Sequence, residues 1–116
     1  MRIVSTVFAS LLISISSTAA LADKGSSCHF HGGKVAAEAT VVGCADARRA
    51  ALVKSGKLHS SWSDIKHDKI EQIDGKKGKE WKLSYKNPAS PEKDKQVLYM
   101  FYTAPGNFIA ANHTGQ

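Results

Sequence analysis

A cluster of side chains able to bind a metal ion stands near the amino terminus, in the sequence Cys28-His29-Phe30-His31. Thiolate and imidazole groups are preferred ligands of zinc and copper. Residues i and i+2 point the same way in an extended chain, so His29 and His31 can present two imidazoles to one divalent ion. Two imidazoles without a third ligand make a loose, exchangeable site. Two exposed histidines without any ligand are the simpler alternative.

Cys44 is the second cysteine of the chain, and it allows two interpretations of Cys28. An oxidising compartment favours a disulfide between them. That bond closes a loop of roughly 15 residues, is worth ~3 kcal/mol on the chain-entropy model, and ties the amino-terminal arm to the helix that carries Cys44. The alternative is a Cys2His2 metal site that includes His29 and His31. It is disfavoured because structural zinc sites pair ligands two to five residues apart, whereas Cys28 and His29 are adjacent.

The first 22 residues have the pattern of a cleavable export signal. Arg2 is the only charged residue before Asp23, Val7 to Ile15 is mostly apolar, and Ala20-Leu21-Ala22 precedes the expected cut. The apolar stretch is shorter than the ~20 residues that cross a bilayer, so we expect cleavage after the last of these residues rather than a membrane anchor. This predicts a periplasmic or secreted protein without a membrane span.

The distribution of charge along the chain does not favour nucleic-acid binding. Removing Arg2 with the signal leaves 15 basic against 10 acidic residues, and arginine then remains only at Arg48 and Arg49. Nucleic-acid recognition usually concentrates basic residues on one face and interleaves aromatic side chains. The scattered lysines indicate a solvated surface, and contact with anionic envelope polymers or lipid headgroups is the alternative.

The exported chain is long enough for one core, so we expect a single domain over residues 35–116 after an arm at 23–34. From about Val35 to Ser55 apolar residues recur at helical spacing, which predicts a helix. Gly43 weakens its middle, so a kink is an open alternative, and Gly56 stands where a left-handed cap is expected.

After the helix the period changes to that of strands. Trp81, Leu83 and Tyr85 alternate with polar residues and should share one buried face. Gly and Pro mark the connections. The strands are predicted at Lys69–Asp74, Glu80–Lys86, Gln96–Thr103 and Phe108–His113. The predicted fold class is α+β, with one amino-terminal helix packed on a four-stranded antiparallel meander.

A single helix can cover one face of such a sheet, which leaves the other face open. In the third strand Val97, Tyr99 and Phe101 point one way, and Leu98, Met100 and Tyr102 the other. Core packing is the expected role of these aromatic side chains. The alternative is an aromatic surface for a partner around Tyr99, Phe101 and Tyr102.

The sequence contains no recognisable catalytic motif. His59, His67 and His113 are far apart along the chain, and the two cysteines are too far apart for a C-x-x-C redox centre. Nucleophile-elbow, zinc-protease, phosphate-loop and dinucleotide patterns are absent. We therefore expect a non-enzymatic protein.

Several short motifs stand in the carboxy-terminal half: Gly56-Lys57-Leu58, Ser61-Trp62, Glu80-Trp81, Leu98-Tyr99-Met100-Phe101, Ala110-Ala111-Asn112 and Thr114-Gly115. Through them, roughly Gly56 to Gly115 resembles a family of small exported proteobacterial proteins known as a domain of unknown function. Members often have a histidine-rich amino terminus, and some are encoded beside heavy-metal efflux systems, which implies metal handling in the envelope. This chain departs from that pattern in having only His29 and His31, with a cysteine pair. The helix-then-meander order is also distantly similar to PepSY domains, which are linked to regulating peptidases and other envelope proteins.

Two functional hypotheses follow. The first is a periplasmic metal-handling accessory that binds Cu or Zn through His29 and His31. The second is a protein-interaction or inhibitory module that binds an envelope partner through Tyr99, Phe101 and Tyr102 on its sheet.

Overall fold

The structure is a computed structural model, and it describes residues 28–116. The predicted signal peptide (1–22), its cut after Ala22 and the first part of the arm (23–27) lie outside the described residues. Among the described residues, no helix is long and apolar enough to cross a membrane.

One helix packs on a four-stranded antiparallel sheet, which confirms the predicted α+β class. The strand order in the sheet is β1-β2-β3-β4, so each strand pairs with its neighbour in the sequence. The bounds are α1 Glu38–Lys54, β1 His67–Gly75, β2 Gly78–Lys86, β3 Val97–Thr103 and β4 Phe108–Asn112. Two short 3-10 helices, Ser60–Trp62 and Lys93–Lys95, lie in the connections.

Helix α1 begins three residues later than the apolar spacing predicted. Ala37 is the extended N-cap, and the backbone N–H of Ala36 donates to the carbonyl of Ala104 at 2.9 Å, so the chain just before the helix is held by the turn between β3 and β4. The helix then runs to Lys54 as one element, without a break at Gly43. Its buried face consists of Val41, Cys44 and Ala45.

The helix ends as its sequence predicted. Gly56 has a φ of +83°, a left-handed conformation that glycine adopts without strain. The backbone N–H groups of Lys57 and Leu58 both donate to the carbonyl of Leu52, at 2.9 and 3.1 Å. Leu58 is buried in the core, so the chain packs back against the last turn.

The core lies between α1 and one face of the sheet. Trp81, Leu83 and Tyr85 of β2 stand opposite Tyr102, Met100 and Leu98 of β3, and all six are buried. The predicted buried face of β2 is therefore correct. We call the opposite face the open face; it carries Lys82 and Ser84 of β2 opposite Phe101 and Tyr99 of β3.

Two buried side chains of this core donate hydrogen bonds to other parts of the fold. The Trp81 indole N–H donates to the carbonyl of Ala104 at 3.1 Å, and the Tyr85 hydroxyl donates to Asp46 Oδ1 on α1 at 2.8 Å. Burial, and then the hydrogen bond to Asp46, raises the pKa of Tyr85 well above its usual range. Both contacts satisfy polar atoms that would be costly to bury alone.

Candidate functional site

The amino-terminal arm is attached to α1 by a disulfide. Cys28 is bonded to Cys44, with their Cα atoms 5.8 Å apart, which confirms the predicted pairing. Both sulfur atoms are used in that bond, and the described residues contain no free cysteine. The Cys2His2 alternative is therefore wrong, because a disulfide sulfur is not the thiolate that zinc or copper requires.

A second attachment holds the arm two residues further along. The backbone N–H of Phe30 donates to Asn107 Oδ1 at 2.6 Å, and Asn107 Nδ2 donates to the carbonyl of Phe30 at 2.8 Å. The side-chain amide thus satisfies both backbone groups of one residue, as a neighbouring strand would. No local sequence pattern predicts this contact, because Asn107 lies 77 residues from Phe30.

Phe30 also packs against the turn that carries Asn107. Gly106 has a φ of +108°, and a Cβ added there would lie 3.1 Å from a ring carbon of Phe30. Glycine is needed for both reasons, since other residues rarely adopt this φ and any side chain would crowd the ring. The Pro105-Gly106 sequence indicates a turn, but no neighbouring residue indicates that Phe30 would contact it.

His29 and His31 lie on either side of this anchored phenylalanine, and both are exposed. Their ring centroids are 5.0 Å apart, with an interplanar angle of 88°. The structure therefore brings together the two histidines that the i, i+2 spacing selected. Among residues 28–116 there is no group of three or more His, Cys, Asp or Glu side chains that could hold a metal ion.

This separation of the rings is compatible with shared coordination. Two imidazoles on one tetrahedral ion, with metal–nitrogen distances of about 2.0–2.1 Å, have ring centroids about 5 Å apart. The interplanar angle imposes little restriction, because each imidazole can rotate about its metal–nitrogen bond. The separation of the rings meets this one requirement for supplying two of the four ligands of such an ion, and the rest would come from solvent or another molecule.

The three candidate partner-binding aromatics do not form one surface. Tyr102 is 1% exposed and lies on the face covered by α1, with its ring 5.6 Å from that of Phe108. Tyr99 and Phe101 share the open face, as strand alternation predicted, but Phe101 is 6% exposed. Lys82 Nζ lies 5.1 Å from the Tyr99 ring centroid and 5.8 Å from that of Phe101.

A groove of about 780 Å³ runs across the open face at the end that carries the β1–β2 and β3–β4 turns. Phe101 contributes to it, together with Lys76 and Lys77 of the first turn and Ile109 and Ala110 of β4. No local sequence pattern predicts this groove, because it depends on how the two turns lie relative to the sheet.

Comparison with known proteins gives a family and no function. The model of a family of unknown function (DUF6488) matches residues 1–116. The match extends over the whole chain, further than the Gly56 to Gly115 resemblance seen in the sequence. No curated protein and no solved structure matches the chain, and the similarity to PepSY domains is not confirmed.

Proposed function

We propose that this chain, which belongs to that family of unknown function, is a non-enzymatic binding protein that takes up a divalent copper or zinc ion between His29 and His31. The observation that carries the proposal is the 5.0 Å separation of their ring centroids, both rings being exposed. Imidazole nitrogen is a preferred ligand of both metals.

Restraint of the arm supports the proposal energetically. Ordering a free backbone costs about 1–2 kcal/mol per residue, and a flexible arm would lose that much of its binding free energy on closing around an ion. Here Cys28 and Phe30 are already attached on either side of His29. Folding has therefore already met much of this ordering cost. The two imidazoles therefore form a partly organised pair.

The number of ligands suggests what kind of binding to expect. Two protein ligands leave the remaining positions of the ion to water or to a second molecule, whereas structural zinc sites use four protein ligands. Such an ion exchanges readily, which suits a carrier better than a structural site. The disulfide is consistent with an oxidising compartment such as the periplasm, the location that the sequence predicts.

Titration calorimetry with Cu(II) and Zn(II) tests the proposal on the secreted form, purified without a histidine tag. We expect saturable binding of one ion per chain, and loss of that binding in His29→Ala and His31→Ala. His67→Ala is the matched control, because His67 lies in β1 and should leave binding unchanged. Equal binding by the wild type and by the variant lacking both arm histidines would contradict the proposal.

A further inference from the structure

The two outer edges of the sheet differ in charge. β1 carries charged side chains at Asp68, Lys69, Glu71 and Asp74, whereas β4 has the uncharged sequence Phe108-Ile109-Ala110-Ala111-Asn112. An edge strand exposes unpaired backbone groups, and charges along it normally prevent another chain from pairing there. β1 has this protection and β4 does not.

β4 is short and its register shifts at Ile109, but its uncharged edge is accessible. Ile109 is 42% exposed, and it has no partner in the ladder because Phe101 pairs with Ala110 and Tyr102 with Phe108. Within residues 28–116, β3 is the one strand that pairs with β4. Beyond β4 the chain turns onto the open face, where a Cβ on Gly115 would lie 3.3 Å from the Tyr99 ring. This turn leads the described chain away from the free edge.

Positive charges flank this edge on both faces of the sheet. The Arg48 guanidinium lies 3.5 Å from the centroid of the Phe108 ring, and among the described residues no carboxylate lies within 4 Å of it. On the open face Lys76 and Lys77 line the same groove as Ile109. Lys79 pairs with Asp74 at 2.7 Å, and Glu80 also lines the groove. The positive charge offered to an anionic ligand is therefore that of Lys76, Lys77 and Arg48, offset in part by Glu80.

We propose that the free edge of β4 binds an extended acidic segment of another protein by strand addition. Backbone hydrogen bonds to β4 would supply affinity, and alternate side chains of the segment would meet the groove and the flanking cations. A second copy of this chain fits less well, because it would bring its own excess of 15 basic over 10 acidic residues to the same edge. The surface uses none of the metal-binding residues, so this inference goes beyond the function proposed above.

Fluorescence anisotropy with a labelled eight-residue peptide of alternating Glu and Val tests this proposal. We expect saturable binding that weakens with added salt, and weaker binding of the Lys and Val analogue.

Ile109→Asp should weaken binding roughly tenfold, since it removes apolar contact and adds a repelling charge. Val35→Asp is the matched control, because Val35 is 53% exposed and lies outside β4. Arg48→Glu is a second test variant. Arg48 is exposed, and reversal of its charge should weaken binding as well.

Peptides N-methylated at alternate positions distinguish strand addition from simple charge attraction. One edge of the added strand pairs with β4, so methylation of one set of amides should abolish binding and methylation of the other set should not. Equal effects of Ile109→Asp and Val35→Asp would overturn the proposal, as would binding that tolerates both methylated peptides. If sedimentation velocity shows a dimer that Ile109→Asp dissociates, the edge binds a second copy of this chain, and the proposal is overturned.

Discussion

Asn107 pairs with the backbone of Phe30 through both polar atoms of its side-chain amide, accepting at 2.6 Å and donating at 2.8 Å. This contact joins two parts of the chain that are 77 residues apart. It fixes the residue between the two arm histidines, and the disulfide at Cys28 fixes the residue before them. The arm is therefore held at two points rather than at the one that the cysteine pattern predicted.

Asn107→Ala should loosen the arm without touching a histidine. We expect a loss of about 1–3 kcal/mol in the free energy of unfolding, because the backbone groups of Phe30 lose their partners. The affinity for Zn(II) should fall several-fold, because the ordering of the arm must then occur on binding. Asn112→Ala is the control, since Asn112 accepts local hydrogen bonds from Thr114 and Gly115 away from the arm. A variant at Asn107 that unfolds more easily but binds Zn(II) equally well would show that restraint of the arm does not matter.

Removal of the disulfide should cost more stability than loss of the amide contact. The bond joins residues 16 apart in the sequence, and on the chain-entropy model a loop of this size is worth ~3 kcal/mol. We expect the double variant Cys28→Ser/Cys44→Ser to unfold at a correspondingly lower urea concentration. Addition of a reductant should have no effect on this variant but should destabilise the wild type. A wild type insensitive to reductant would contradict this prediction, provided that mass analysis shows the bond reduced.

Two glycine substitutions should have opposite effects on stability. Gly106→Ala places a side chain at a φ of +108° and 3.1 Å from the Phe30 ring, so we expect a loss of about 1–3 kcal/mol. Gly43→Ala lies within α1 with nothing within 4 Å of the new Cβ, and it should stabilise the protein by about 1 kcal/mol. Thermal unfolding of both variants measures the difference. The same sign of change in the two variants would be inconsistent with the structure.

Alkaline pH should destabilise the protein through its buried tyrosines. Burial and the hydrogen bond to Asp46 raise the pKa of Tyr85, and burial raises that of Tyr102. An unfolded tyrosine loses its proton near pH 10 while the folded one keeps it, so their stabilising effect is complete below about pH 10 and is lost as the pH rises further.

Urea unfolding at pH 7 and above pH 10 measures this effect. Tyr85→Phe should lose about 1 kcal/mol at pH 7, because the hydrogen bond to Asp46 disappears, and its stability should decline less steeply at high pH. Tyr99→Phe is the control, since Tyr99 lies on the open face and is only half-buried. An unchanged alkaline decline in Tyr85→Phe would contradict the assignment.

Strand limits show how far local pattern can predict this fold. The strict alternation around Trp81 located β2 and its buried face, because side chains on a strand alternate between faces whatever the rest of the chain does. The first strand is longer than predicted, beginning at His67, and its register shifts between His67 and Lys69. That irregularity depends on pairing with β2, so the residues of β1 alone carry no signal for it.

The sequence by itself determined the elements, their order, the cysteine pair and the choice of His29 and His31, since periodicity, turn residues and short spacings act between near neighbours. Tertiary structure decided where α1 begins, because Ala36 is held by Ala104 across the fold. It also decided that Asn107 would anchor the arm and that a groove would form beside an uncharged edge. Those features depend on contacts between distant residues, whose geometry exists only after the sheet and helix have packed together.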